Sequence, residues 1–390
     1  MLTMIKNGQL YSPEHLGNKD ILIAGEKIIK VAEEIEIPSV DFYPVQLITA
    51  ADKIIVPGLI DSHVHIIGGG GEGGFKTRTP EIQLTELSSA GITTVVGCLG
   101  ADGTTRHLSS LLAKARALEE EGITSYIYTG SYQLPLQTIT GNCRDDLILI
   151  DKVIGVGELA LADHRSSQPT LTEFKQVAAL ARTGGLLANK AGLLNVHLGD
   201  GEKGLDYLLR IAQETEIPLD QFLPTHLNRN KELLESVVDY VKKGGLLDLT
   251  TSSTESPADR SIPASRAARL LLEKGVAAEA ITFSSDGMGS LPLFDHRGNF
   301  CGLGIGAVSS LWLEVLKAIQ QEGIPLAEAL KFVTANVADR LKLTAKGRIA
   351  ENYSADLVLL NKDLTIDTVI ARGRVLIENK RVLVKGTFEK

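Results

Sequence analysis

Val56-Pro57-Gly58-Leu59-Ile60-Asp61-Ser62-His63-Val64-His65 is a Pro-Gly turn running into a short apolar stretch that ends in two histidines. The composition of Leu59 to His65 is that of a strand. On a strand, residues at i and i+2 point to the same side, so His63 and His65 can present two imidazoles to one metal ion.

Seven further runs share this strand character: Ile92 to Cys98, Thr124 to Thr129, Val153 to Glu158, Leu193 to His197, Phe222 to His226, Leu246 to Thr250 and Ile281 to Asp286. Longer amphipathic stretches separate them, as in repeated βα units around a parallel sheet. Thr79-Pro80 reads as the opening of one such helix and Gly91 as its close. Eight strands with intervening helices predict an α/β fold, a (β/α)8 TIM-type barrel over residues 57–347. Residues 1–56 and 348–390 carry short strand-like runs with little helical periodicity, and predict a small β-sandwich domain formed by both chain ends. A length of 390 residues suits a barrel of roughly 250 residues or more with such a companion.

Barrel active sites gather at the C-terminal ends of the strands. At those ends the sequence places Glu158, His197, His226 and Asp286 beside His63 and His65. Neutral imidazoles and carboxylates suit zinc or a similar divalent ion, and two neighbouring ions can share a carboxylate. His15, His107, His164 and His296 end no strand candidate and are expected in surface or structural roles. Cys98, Cys143 and Cys301 are too few and too scattered for a disulfide framework and read as small apolar residues. The formal net charge of −8 argues against a generic nucleic-acid binder. No signal-peptide pattern opens the chain and no apolar run is long enough for a membrane span, so a cytoplasmic protein without membrane attachment is expected.

The first stretch, together with Thr225-His226-Leu227-Asn228-Arg229-Asn230 and Ser284-Ser285-Asp286-Gly287-Met288-Gly289-Ser290, resembles the isoaspartyl (β-aspartyl) dipeptidases of the amidohydrolase superfamily. Ile67-Gly68-Gly69-Gly70-Gly71-Glu72 and Asp163-His164-Arg165-Ser166 extend the resemblance along nearly the whole chain. The resemblance implies that His63, His65 and Asp286 hold one zinc ion and His197 and His226 a second, with a bridging carboxylate and a bridging hydroxide. It also implies a homo-oligomer. Where the family usually carries a carboxylated lysine, this sequence has Glu158, of the same charge but shorter.

An isoaspartyl dipeptide carries one ammonium and two carboxylates, so its pocket needs one anion and several cationic or hydrogen-bonding groups. Glu72 is expected on the ammonium, Arg165 and Arg229 on the leaving residue's carboxylate, and Ser290 with backbone N–H groups of Gly70 and Gly71 on the other. Asp286 is expected to carry the proton to the leaving amine, and Tyr132, by resemblance, to meet the developing oxyanion. The alternatives are a cyclic-amide hydrolase of the dihydroorotase or hydantoinase kind, whose substrate has no free ammonium, and a metal-free scaffold on the same fold.

Overall fold

The computed structural model describes residues 2–36, 44–253, 260–295, 297 and 299–390. Eight parallel strands follow the expected runs: β1 (Leu59–Val64), β2 (Ile92–Gly97), β3 (Thr124–Thr129), β4 (Val153–Leu161), β5 (Leu193–Leu198), β6 (Phe222–Thr225), β7 (Leu247–Thr250) and β8 (Ile281–Ser284). In β1, β2, β4 and β5 every residue is buried. That is the mark of a parallel sheet covered on both faces, where side chains of either orientation meet protein.

The helices between them are set by local chemistry. Leu171–Ala188 opens on a reciprocal capping box of Thr170 with Glu173 and stops at Asn189, whose φ of 52° is left-handed. The helix expected from Thr79-Pro80 begins later, at Leu84, capped by Gln83 with Glu86. The Thr79 hydroxyl is engaged elsewhere: it accepts from Gly69 N at 2.7 Å and donates to Met288 O at 2.6 Å, so the chain stays extended there.

β1 to β6 hydrogen-bond in sequence order as one six-stranded sheet, and β7 pairs with β8 as a second. The ladder does not run unbroken around all eight. The two sheets join mainly beyond the C-terminal strand ends, where His65 N donates to Gly287 O at 2.9 Å and Asp286 N to His63 O at 3.1 Å. At the other seam the Asn228 side chain bridges to the backbone of Thr250, donating to its O at 2.9 Å and accepting from its N at 2.8 Å.

The strands of the two chain ends hydrogen-bond as one nine-stranded sheet. The strand Leu2–Tyr11 pairs with Val45–Thr49 along its first half and with Ile54–Pro57 near its end, so the sheet branches there. Ile54–Pro57 then pairs antiparallel with Leu357–Leu360, which ties the two termini together. Ile5, Leu10, Ile21, Ile55, Leu357 and Ile370 belong to the core of this region. No helix among the described residues is long and apolar enough to cross a membrane.

Candidate active site

His63 lies within β1 and His65 one residue beyond it, and both rings face Glu158. Glu158, expected at the end of its strand, lies inside it, because β4 continues to Leu161. A register shift between β4 and β5 at this point turns its side chain among the histidines. Gly157 makes the shift possible: its φ is 147°, and a Cβ there would stand 2.5 Å from Asn195 O. His226 and Asp286 lie just past β6 and β8 with φ of 64° and 52°, the left-handed conformation that His and Asp adopt more readily than most residues.

These turns bring all six expected ligands together. Glu158 Oε1 is 3.3 Å from His63 Nε2 and 3.5 Å from His65 Nε2. Its Oε2 is 3.2 Å from His197 Nδ1 and 3.7 Å from His226 Nε2. Asp286 Oδ1 is 3.1 Å from His65 Nε2 and 3.7 Å from His63 Nε2. Donors bound at about 2.0–2.1 Å to one tetrahedral ion stand about 3.3–3.4 Å apart, so this spacing fits divalent cations. His63 Nε2, Glu158 Oε1 and His226 Nε2 are buried without a hydrogen-bond partner. Each such atom costs roughly 1–3 kcal/mol unless something coordinates it. Their concentration at one point is what a metal centre requires.

Burial lowers the His63 and His65 imidazoles, but Cys98 and the carboxylates of Glu158 and Asp286 hold both well above the ordinary range. Burial raises the Glu158 carboxyl, but the charge of His63 and the His197 and His226 rings beside it hold it well below the ordinary range. Asp286 is likewise raised by burial, yet His65, His226 and His63 bring it down to about 2. Burial and the nearby His197 push His226 down to about 3, which keeps its imidazole neutral, as a ligand must be.

The expected substrate groups line the same cavity of about 360 Å³, Glu72, Tyr132, Arg165, Arg229 and Ser290 among them. Arg165 donates to Asp163 through Nε at 3.0 Å and Nη2 at 2.8 Å, and to Glu72 Oε1 at 3.2 Å. The Ser290 hydroxyl, expected on a carboxylate of the ligand, donates instead to Glu72 Oε2 at 3.1 Å. The Tyr132 hydroxyl is bonded to His197 Nδ1 at 2.8 Å. Arg229 spends its Nε on Leu198 O at 2.9 Å. The glycine run is pinned rather than loose: Gly71 N donates to Thr77 O at 3.2 Å, and a Cβ on Gly70 would stand 2.6 Å from the same oxygen.

Three residues here were not anticipated. Asp163 bonds His197 Nε2 at 3.0 Å while clamping Arg165. Arg106 is buried and donates to the carbonyls of Ile67, Gly69 and Thr79, which holds the glycine run from behind. Cys98, expected to be only a small apolar filler, stands against the histidines, with Sγ 3.8 Å from His65 Nδ1. Of the other histidines, His15, His107 and His164 are exposed, and His296 lies outside the described residues.

The profile of the amidohydrolase family matches residues 54–376. A crystal structure of the β-aspartyl dipeptidase of Fervidobacterium islandicum AW-1 in complex with β-Asp-Leu dipeptide is 45% identical, with a TM-score of 0.91 over 98% of this chain and 97% of that one. Dihydroorotase of Streptococcus thermophilus is 25% identical over 92% of this chain and 90% of its own length. A D-hydantoinase structure, 18% identical with a TM-score of 0.70 over 100% of this chain and 98% of that one, shares the fold.

Proposed function

The chain belongs to the amidohydrolase family and is a hydrolytic enzyme, and from that premise we propose that it cleaves the isopeptide bond of isoaspartyl dipeptides in a centre holding two zinc ions. One observation carries the reading: Glu72, held between Arg165 and Ser290, lines the same cavity as His65, His197, His226 and Asp286. An anion paired with one arginine, in a cavity that a second arginine also lines, suits a small zwitterion with a free ammonium and carboxylates. A cyclic amide offers no ammonium for Glu72 to meet.

His63, His65, Glu158, His197, His226 and Asp286 would hold the ions, which supply acidified water and carbonyl polarisation when bound. The chain's own groups do the rest. Glu72 receives the substrate ammonium, and Arg165 and Arg229 receive the leaving residue's carboxylate. Gly70 offers its backbone N–H to the remaining carboxylate, which Ser290 meets on turning its hydroxyl away from Glu72, while Gly71, its own N–H spent on Thr77 O, shapes the turn. Tyr132, already bonded to His197, donates its hydroxyl to the carbonyl oxygen as negative charge develops there. Asp286 takes a proton from the attacking water and delivers it to the leaving amine as the C–N bond breaks. The same reading treats β1 to β8 as one closed (β/α)8 barrel and the termini as its companion domain, in a cytoplasmic homo-oligomer.

The test is a substrate panel with metal analysis. β-Asp-Leu should be hydrolysed and α-Asp-Leu should not; comparable rates on the two isomers, or a preference for dihydroorotate or hydantoin, would sink the assignment.

A further inference from the structure

Cys98 lies one residue beyond β2, its backbone N bonded to Val64 O at 3.0 Å, level with the end of β1 where the histidines stand. Part of its environment is ordinary core, with Ile60, Val96 and Tyr128 in the same apolar cluster. The remainder is not apolar. The ligand atoms of His63, His65, Cys98 and Glu158 all lie within 4.8 Å of one another, and all four residues are buried. Within that group both ring nitrogens of His63 and Glu158 Oε1 have no hydrogen-bond partner. A thiol needed only for volume has no reason to sit among unpaired imidazole and carboxylate atoms, whereas a thiolate is a strong ligand for a borderline divalent ion.

We propose that Cys98 is a thiolate ligand of the ion held by His63, His65 and Glu158, an assignment that rests on the metal-centre reading above. It makes the two halves of the centre unequal. The half with Cys98 has four protein donors, the number that closes a tetrahedral site, while Glu158, His197 and His226 leave the other half with three and an open position. It also releases Asp286 from a purely ligating role. That side chain keeps 25% of its surface exposed, while Cys98 is fully buried, so the carboxylate is free to exchange protons with substrate and solvent.

The experiment uses the full chain with Cys143→Ala and Cys301→Ser, so that Cys98 is the one remaining thiol. The protein is stripped of metal and loaded with Co2+, and cobalt content is measured beside the near-ultraviolet spectrum. A sulfur-to-cobalt charge-transfer band is expected, and adding Cys98→Ser should abolish it and lower cobalt retention on dialysis. Bound cobalt without the band overturns the assignment and leaves the metal-centre reading intact. Failure to bind cobalt overturns both. A band with no dipeptidase activity supports Cys98 and counts against the proposed substrate alone.

Discussion

Glu158 Oε1 stands 3.3 Å from His63 Nε2, and neither atom has a hydrogen-bond partner. Its other oxygen is 3.2 Å from His197 Nδ1, so one short carboxylate faces both pairs of imidazoles. A carboxylated lysine forms only after carbon dioxide adds to a neutral amine, but a glutamate carries its charge permanently. Metal-stripped protein should therefore regain full activity with a divalent metal alone, and bicarbonate should change neither rate nor extent. Glu158→Ala should lose about half of the bound metal, because His197 and His226 then fall short of the usual three or four protein ligands. A strict bicarbonate requirement would assign the bridge to a lysine instead.

Asp286→Asn should retain the fold and lower kcat by about 10²–10⁴-fold, the usual worth of a positioned proton carrier. Steady-state kinetics beside metal content is the check. Near-normal turnover with normal metal would remove Asp286 from the proton path.

Glu72 is anchored by Arg165 and Ser290, so its charge is fixed in place before substrate arrives. Glu72→Gln should lower kcat/KM on β-Asp-Leu by about 10–100-fold, as expected for a charge-assisted bond of about 1.5–3 kcal/mol. The side chain is 29% exposed, so thermal stability should barely move. An equal loss on N-acetylated β-Asp-Leu, which has no ammonium, would refute the pairing.

Asp248 supplies a pH test away from the ligands. Its carboxylate accepts from Thr225 and Thr282 hydroxyls at 2.8 Å and 2.7 Å and from Ser284, but burial pushes its pKa up to about 6 from 3.8. The folded state thus keeps a proton that the unfolded chain has released between about pH 4 and 6. Stability from this group is complete below the unfolded value and is lost as pH rises through the folded one, at up to about 1.4 kcal/mol per pH unit. In urea titrations of metal-free protein, wild type minus Asp248→Asn should fall by about 2.4 kcal/mol from pH 4 to pH 7. A flat difference across that range contradicts the elevated carboxyl.

Much of the framework could be read from local pattern. The β-branched and aliphatic runs fix where β1 to β8 begin, with β7 opening at Leu247 rather than Leu246, but not where they end: β4 runs on past Glu158 to Leu161 and β8 stops at Ser284, short of Asp286. Strand periodicity also put His63 and His65 on one side, and the strand-end test found His197, His226 and Asp286. These features depend on neighbours a few residues apart, which the sequence spells out directly. The same test applied to the run ending in Cys98 would have placed its thiol with the histidines.

Other pairings depend on contacts between residues far apart in the chain, and only tertiary structure decided them. Whether Glu158 faces the histidines depends on the register of β4 against β5 and on the room that Gly157 leaves for Asn195. Ser290 meets Glu72 across 218 positions, and Arg106 reaches back to Gly69 across 37. Thr79, which locally reads as a helix start, is drawn to Met288 by a bond spanning 209 positions. A hydroxyl or guanidinium takes whichever carbonyl or carboxylate the packed core brings within about 3 Å, and that choice is made by the closure of the sheets rather than by the residues beside it in sequence.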